Sequence, residues 1–163
     1  EVLLDGSHSS AKAEEVTTQT LQEMFKQLQE KGTHLPGLVL KTSMVVPGKD
    51  SGEPMIPEKV AEMTVRCLKA SVPASVAGVV FLSGGQTAKQ STANLNAIAK
   101  LEKQEGNFPW GISFSYARAL QEPSLEVWKG KPENILAAQQ VFLKRLEFTV
   151  AADRGEYNSS LDQ

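Results

Sequence analysis

The chain has 163 residues, 40% hydrophobic and 22% charged, a composition that excludes a disordered tail and suffices for one domain with a packed core. Lys+Arg 17 against Asp+Glu 19 leave a formal charge of −2, which excludes the broad basic field that nucleic acid or an anionic membrane surface requires. No apolar run approaches the roughly 18 residues of a membrane span, the single cysteine Cys67 cannot close an internal disulfide, and His8 and His34 lie too far apart for metal-ligand spacing. The expectation is a soluble, cytoplasmic protein with no nucleic-acid or membrane partner, no metal and no cofactor.

The chain opens on Glu1 and runs at once into Val2–Leu4, a strand-like segment that reads as part of something longer. From about Ala11 to Lys31, Leu21, Met24, Phe25 and Leu28 share one helical face, and Gly32 supplies a stop. A second strand reads from Leu38–Leu40 toward Val46. Pro57 suits a first helical turn, after which Val60, Met63, Thr64, Cys67 and Leu68 follow i, i+3, i+4 spacing until Pro73. The third strand is Gly78–Leu82. Thr87 with Gln90 forms the pattern of a capping box, opening a helix through Ala97, Ile98 and Leu101 toward Gly106. The fourth strand is Ile112–Tyr116, and Pro132 opens a last helix with Ala138, Phe142, Leu146 and Val150 along one ridge. Residues 153–163 read as a loose polar tail.

All four strand segments are rich in Val, Leu, Ile and Phe with little alternation, the pattern of parallel strands covered on both faces. They recur roughly every 35 to 40 residues, one βα unit each. Such a period fits a four-stranded open sheet or half of an eight-stranded barrel of about 250 residues. Periodicity alone leaves both open.

Function in parallel α/β folds gathers where strands end and helices begin. Lys41 sits inside the otherwise apolar run Gly37–Val46. A buried amine loses its charge more readily, and a neutral amine can add to a carbonyl and form an iminium. Alternatively its stem packs while its head reaches water. Leu82-Ser83-Gly84-Gly85 ends a strand just before a capped helix, so its amides can cradle a phosphate, or the glycine pair can be a simple tight connection. Ser115-Tyr116-Ala117-Arg118 ends the next strand, where Arg118 offers either a planar fork for phosphate or a surface ion pair. Asp5 and His8 read as turn and loop residues, and Trp110 and Trp128 as packing residues.

These residues resemble one family: class I fructose-1,6-bisphosphate aldolase. The resemblance is carried, in order, by Glu1–His8, Leu38–Val45, Gly78–Gln86, Asn94–Ile98, Phe114–Leu120 and Trp128–Ala138. It implies a (β/α)8 barrel of which residues 1–152 supply the second half, strands five to eight with their helices. It implies that Lys41 is the Schiff-base lysine and that Glu1 is the second glutamate of a Glu-x-Glu pattern near the end of strand five. Leu82, Ser83, Gly84 and Gly85, with Ser115, Tyr116, Ala117 and Arg118, then hold substrate phosphate. The implied reaction is reversible cleavage of fructose 1,6-bisphosphate into two triose phosphates without metal, in a homotetramer. Thr42 and Ser43 stand where the family often has Pro-Asn, and Ala117 where it often has glycine. Tyr157 is not assigned the family's terminal-tyrosine role. The family's first four strands and their active-site residues are not in the chain, so by itself it is expected to be inactive. A non-catalytic phosphate-binding or scaffolding half-barrel is the alternative.

Overall fold

Three parallel strands, β1 (Val39–Thr42), β2 (Gly78–Phe81) and β3 (Gly111–Phe114), lie side by side in the order β1-β2-β3. The computed structural model describes residues 1–106 and 108–162. Register is continuous across the sheet: Lys41 is level with Val80, and Val80 with Ser113. Leu40 and Thr42 are buried while Val39 and Lys41 are exposed, and in β2 the buried positions are Val79 and Phe81. This alternation follows from the pleat, which sends successive side chains to opposite faces.

One sheet face therefore packs under helices and the other is open, whereas the apolar runs predicted cover on both. In a closed barrel the second face looks at the axis, where side chains of other strands fill the interior. Among the described residues nothing takes that role. Lys41 is accordingly exposed, not enclosed in apolar surroundings as its sequence neighbours suggested.

The expected strand at Val2–Leu4 does not form. Residues 1–8 instead tie to the loop after β1: Lys49 donates its amide to the Leu4 carbonyl at 2.8 Å, Asp50 to that of Gly6 at 2.9 Å, and Gly48 to that of His8 at 2.9 Å. Leu4 is buried. Its apolar run is satisfied by packing against loops, and three apolar residues carry no periodicity that separates a buried strap from a strand.

The first helix, α1 (Ser10–Glu30), starts where Ser9 accepts a hydrogen bond from the Lys12 amide, and it buries Ala13, Thr17, Leu21 and Phe25. The next, α2 (Pro57–Ser71), carries Pro at its first turn and buries all five expected positions from Val60 to Leu68. Burial pushes the Cys67 thiol up, as its core position requires. The capping box forms as expected: Thr87 accepts from the Gln90 amide and Gln90 from the Thr87 amide, opening α3 (Ala88–Glu105). Leu95 and Ile98 reach 0% exposure against the sheet core.

A further helix, α4 (Arg118–Trp128), contains Pro123, a residue that removes one helical donor and hides the helix from a pattern search. Pro132 opens only a single 3₁₀ turn, Pro132–Asn134, ahead of α5 (Ile135–Asp153). Of the ridge read from the sequence, Ala138 is buried and Leu146 packs partly buried against the core, while Phe142 is exposed; Arg145, Thr149 and Ala152 are the other buried positions. Phe142 looks instead into an open apolar groove shared with Leu125 and Trp128. Spacing finds the ridges of a helix but cannot say which ridge meets a neighbour.

The segment after α5 is packed, contrary to the expected loose tail. Arg145 donates to Asp162 at 2.5 Å, to Thr92 at 2.8 Å and to the Ala88 carbonyl at 3.1 Å. Tyr157 adds its hydroxyl to Asp162 at 2.7 Å and its amide to Asn96 at 3.0 Å.

Candidate active site

The loops leaving β1, β2 and β3 meet at one end of the sheet. The Leu82 amide donates to the Thr42 carbonyl at 3.0 Å and the Ser115 amide to the Phe81 carbonyl at 2.8 Å, so the ladder continues one residue beyond the strands before the loops diverge. Lys41 stands one position before the end of β1, on the open face, in register with Val80. Its amine therefore rises on the side of the sheet that a barrel would enclose.

After β2 the chain turns sharply. The Gln86 amide donates to the Ser83 carbonyl at 3.0 Å, and Gly85 at the third position has φ +73, a conformation open to glycine at little cost. A Cβ on Gly85 would meet Leu4 Cδ2 at 2.7 Å, so the strap formed by residues 1–8 packs directly on this turn. The amides of Gly84 and Gly85 make no hydrogen bond among the described residues. They are free to donate to an anion, with the start of α3 just beyond.

The loop after β3 leads straight into α4 at Arg118. Ser83 is buried and its hydroxyl accepts from the Ala119 amide at 3.4 Å, which ties the two loops together. Glu1, Leu82, Gly84, Gly85 and Arg118 line one cavity of about 100 Å³, together with Ser43, Met44, Lys49 and Gln86. Arg118 and Lys49 bring positive charge to its wall, and Glu1 and Asp5 bring carboxylates, Lys49 pairing with Asp5 at 3.4 Å.

Three of the residues named from the sequence lie differently. The Ser115 amide is spent on the sheet ladder. Tyr116 is buried and donates its hydroxyl to the Ser91 carbonyl at 2.9 Å. Burial, and secondarily the charge of Asp153, push its phenol far up, so that group stays protonated. Ala117 is the cap residue of α4 and is exposed. What these positions can offer an anion is the backbone at the α4 terminus. Lys41 and Ser83 do not line the cavity. Sequence reasoning assigned nothing to Met44, Lys49 or Gln86. Only the place of Gln86 directly after the glycine pair signalled it.

With this geometry in view, relatedness is decisive. Residues 1–163 match the family described as fructose-bisphosphate aldolase class-I. This chain belongs to that family. It is 46% identical over 157 residues to cytosolic fructose-bisphosphate aldolase 4 of Arabidopsis thaliana, covering 96% of this chain and 39% of that protein. It is 44% identical over 162 residues to chloroplastic fructose-bisphosphate aldolase 1 of Chlamydomonas reinhardtii, covering 99% of this chain and 42% of that protein. A crystal structure of fructose-bisphosphate aldolase from Plasmodium falciparum, in complex with TRAP and a small-molecule inhibitor, superposes with a TM-score of 0.89 at 42% identity, covering 96% of this chain and 44% of that one. The chain thus spans less than half the length of these relatives. Its sheet and helices are a portion of the aldolase (β/α)8 barrel, and the described residues contain three of its strands.

Proposed function

We propose that this chain is the lysine-bearing and phosphate-holding half of a fructose-bisphosphate aldolase that reversibly cleaves fructose 1,6-bisphosphate to dihydroxyacetone phosphate and glyceraldehyde 3-phosphate. The observation that carries the reading is the common placement of Lys41, the free Gly84 and Gly85 amides and Arg118 at one end of a parallel sheet.

In this reading Arg118 and the two glycine amides fix one phosphate, which positions the substrate ketone for Lys41. The lysine amine adds to the carbonyl carbon and the hydroxyl leaves as water, giving an iminium. Electrons of the breaking carbon–carbon bond flow into that iminium, a proton leaves the departing aldehyde's hydroxyl, and an enamine remains. Protonation at carbon and addition of water then release dihydroxyacetone phosphate and restore the amine. In the same reading Glu1, at the wall of the cavity that Gly84, Gly85 and Arg118 line, exchanges protons with the reacting oxygens.

The iminium does the electron withdrawal a Lewis acid would otherwise supply, so the reaction is proposed to be metal-independent, with full activity in excess EDTA. A homotetramer is the proposed assembly, read by light scattering behind size exclusion. A cytoplasmic location is proposed on the cytosolic relative, with the chloroplastic one marking the alternative compartment.

The deciding test uses the complete reading frame that carries this chain. Dihydroxyacetone phosphate with borohydride yields a mass adduct on Lys41, and Lys41→Met yields none and loses cleavage. An adduct absent from the unaltered protein favours a phosphate-binding half-barrel instead. The isolated chain, whose Lys41 stands on an open sheet face, is expected to form no product.

A further inference from the structure

Behind the turn at Ser83–Gln86 lies a buried polar relay that the proposed chemistry does not use. Gln86 is 7% exposed and Asn94, in the second turn of α3, is 1% exposed. Asn94 Nδ2 donates to Gln86 Oε1 at 2.6 Å, and also faces the Met55 sulfur at 3.3 Å. Gln86 Nε2 in turn faces the Met44 sulfur at 3.9 Å. Met44 lies three residues beyond Lys41 and lines the same cavity as Gly84, Gly85 and Gln86.

Burying two carboxamides costs free energy that one hydrogen bond and weak thioether acceptors only partly return. An apolar pair of similar shape would pack there without the desolvation cost. What the relay accomplishes is geometric. The turn is pinned at its start by the Leu82 amide on Thr42 and at its end by the Thr87 cap of α3. Between those anchors the Gln86 side chain meets Asn94 of α3. Gln86 is covalently next to Gly85, which lines the cavity and whose amide has no partner among the described residues. Gln86 also closes the turn, its amide donating to the Ser83 carbonyl at 3.0 Å, so holding the Gln86 side chain holds the end of the turn between whose anchors the Gly84 and Gly85 amides lie.

We propose that Asn94 and Gln86 are positioning residues that hold the Gly84–Gly85 amides in their anion-binding orientation and link that turn to the Met44 loop beside Lys41. Gln86 lines the cavity and Asn94 stands behind it, outside the lining. The proposal rests on the phosphate-cradle reading above and deepens it.

The test compares Asn94→Leu and Gln86→Met with the unaltered protein, all in the complete reading frame. Both substitutions preserve approximate volume and delete the amide link. Loss of a buried hydrogen bond that orients a phosphate donor is expected to raise KM for fructose 1,6-bisphosphate about tenfold, with kcat changed less than about twofold. The inhibition constant of inorganic phosphate rises by the same factor. A purely structural role would lower thermal stability or the active fraction while leaving KM and the phosphate constant unmoved, and that result overturns the proposal. If Asn94→Leu does not fold, Gln86→Met, whose side chain suits its thioether neighbours, decides alone. Absence of cleavage and of a Lys41 adduct in the unaltered protein would instead overturn the aldolase reading itself.

Discussion

Gly85 and Gly84 are neighbours in one turn, yet they are held to different standards. Gly85 has φ +73 and its missing Cβ would run into the backbone-proximal atoms of Leu4 as well as the Leu4 tip. Gly84 has an ordinary φ, and an added methyl would meet only Leu82 Cδ1, the far end of a side chain that can rotate. Gly85→Ala is therefore expected to lower stability by about 1 to 2 kcal/mol, the cost of a left-handed residue with a Cβ. Gly84→Ala is expected to cost less, and paired urea titrations measure the difference. Equal losses would mean that conformation at Gly85 is not what selects glycine. Lys41 teaches the complementary lesson at this scale. Leu40 and Thr42 on either side of it are buried, but the pleat places Lys41 itself on the opposite face, so burial of neighbours says nothing about burial of the amine until the rest of the barrel is present.

At the scale of elements, two helix starts were legible from local chemistry. Pro57 and the Thr87–Gln90 pair forgo or satisfy amide donors within a few residues and marked the starts of α2 and α3, whereas α1 was found by its apolar spacing and its Ser9 cap was not read. The start of α1 has a second support that spacing could not reveal. Glu53, far along the chain, accepts from the Ser10 amide at 2.9 Å and the Ser10 hydroxyl at 2.8 Å, while Lys59 donates to it at 2.5 Å. Lys59 chiefly, and then Ser10, hold this carboxyl at about 2, below its ordinary 4.5. A depressed folded value stabilises the fold above the unfolded value, and that contribution disappears as pH falls through the folded one. The Tm gap between the unaltered protein and Glu53→Gln should be steady above pH 4.5 and close toward pH about 2, as followed by circular dichroism. A gap that stays constant through this window would show that the carboxylate charge is not involved. The misread sites share a different cause: Val2–Leu4 and the Phe142 position of α5 are apolar sites whose partners lie far away in sequence.

For the whole molecule, the segment after α5 closes the outer layer instead of trailing from it. Arg145 is 6% exposed and Asp162 7% exposed, so the ion pair is buried; Tyr157, Thr92 and the Ala88 carbonyl add hydrogen bonds, and Arg145 Nε is left without a partner among the described residues. Burial pushes the Asp162 carboxyl up, but Arg145 and Tyr157 outweigh it and hold the group below its ordinary range. Removing one partner leaves a buried charge uncompensated. Asp162→Ala is expected to cost about 3 kcal/mol in chemical denaturation of the complete protein. A change below about 0.5 kcal/mol would mean that the segment is held by its apolar contacts alone. The open sheet face with Lys41 and, separately, the groove between α4 and α5 at Leu125, Trp128 and Phe142 remain uncovered among the described residues, in keeping with a chain that spans less than half of its aldolase relatives.

The amino-acid sequence by itself determined the βα alternation, the starts of α2 and α3, the core position of Cys67 and the family, because each depends on residues close together or on the identity of short ordered segments. Only the tertiary structure decided that Val2–Leu4 is a strap on the Gly85 turn, that Tyr116 turns inward to Ser91, that Arg145 anchors the final segment and that Lys41 faces an open side. Those outcomes depend on which surfaces meet across long stretches of chain. Local periodicity records that a face is apolar; the partner that covers it is chosen by packing.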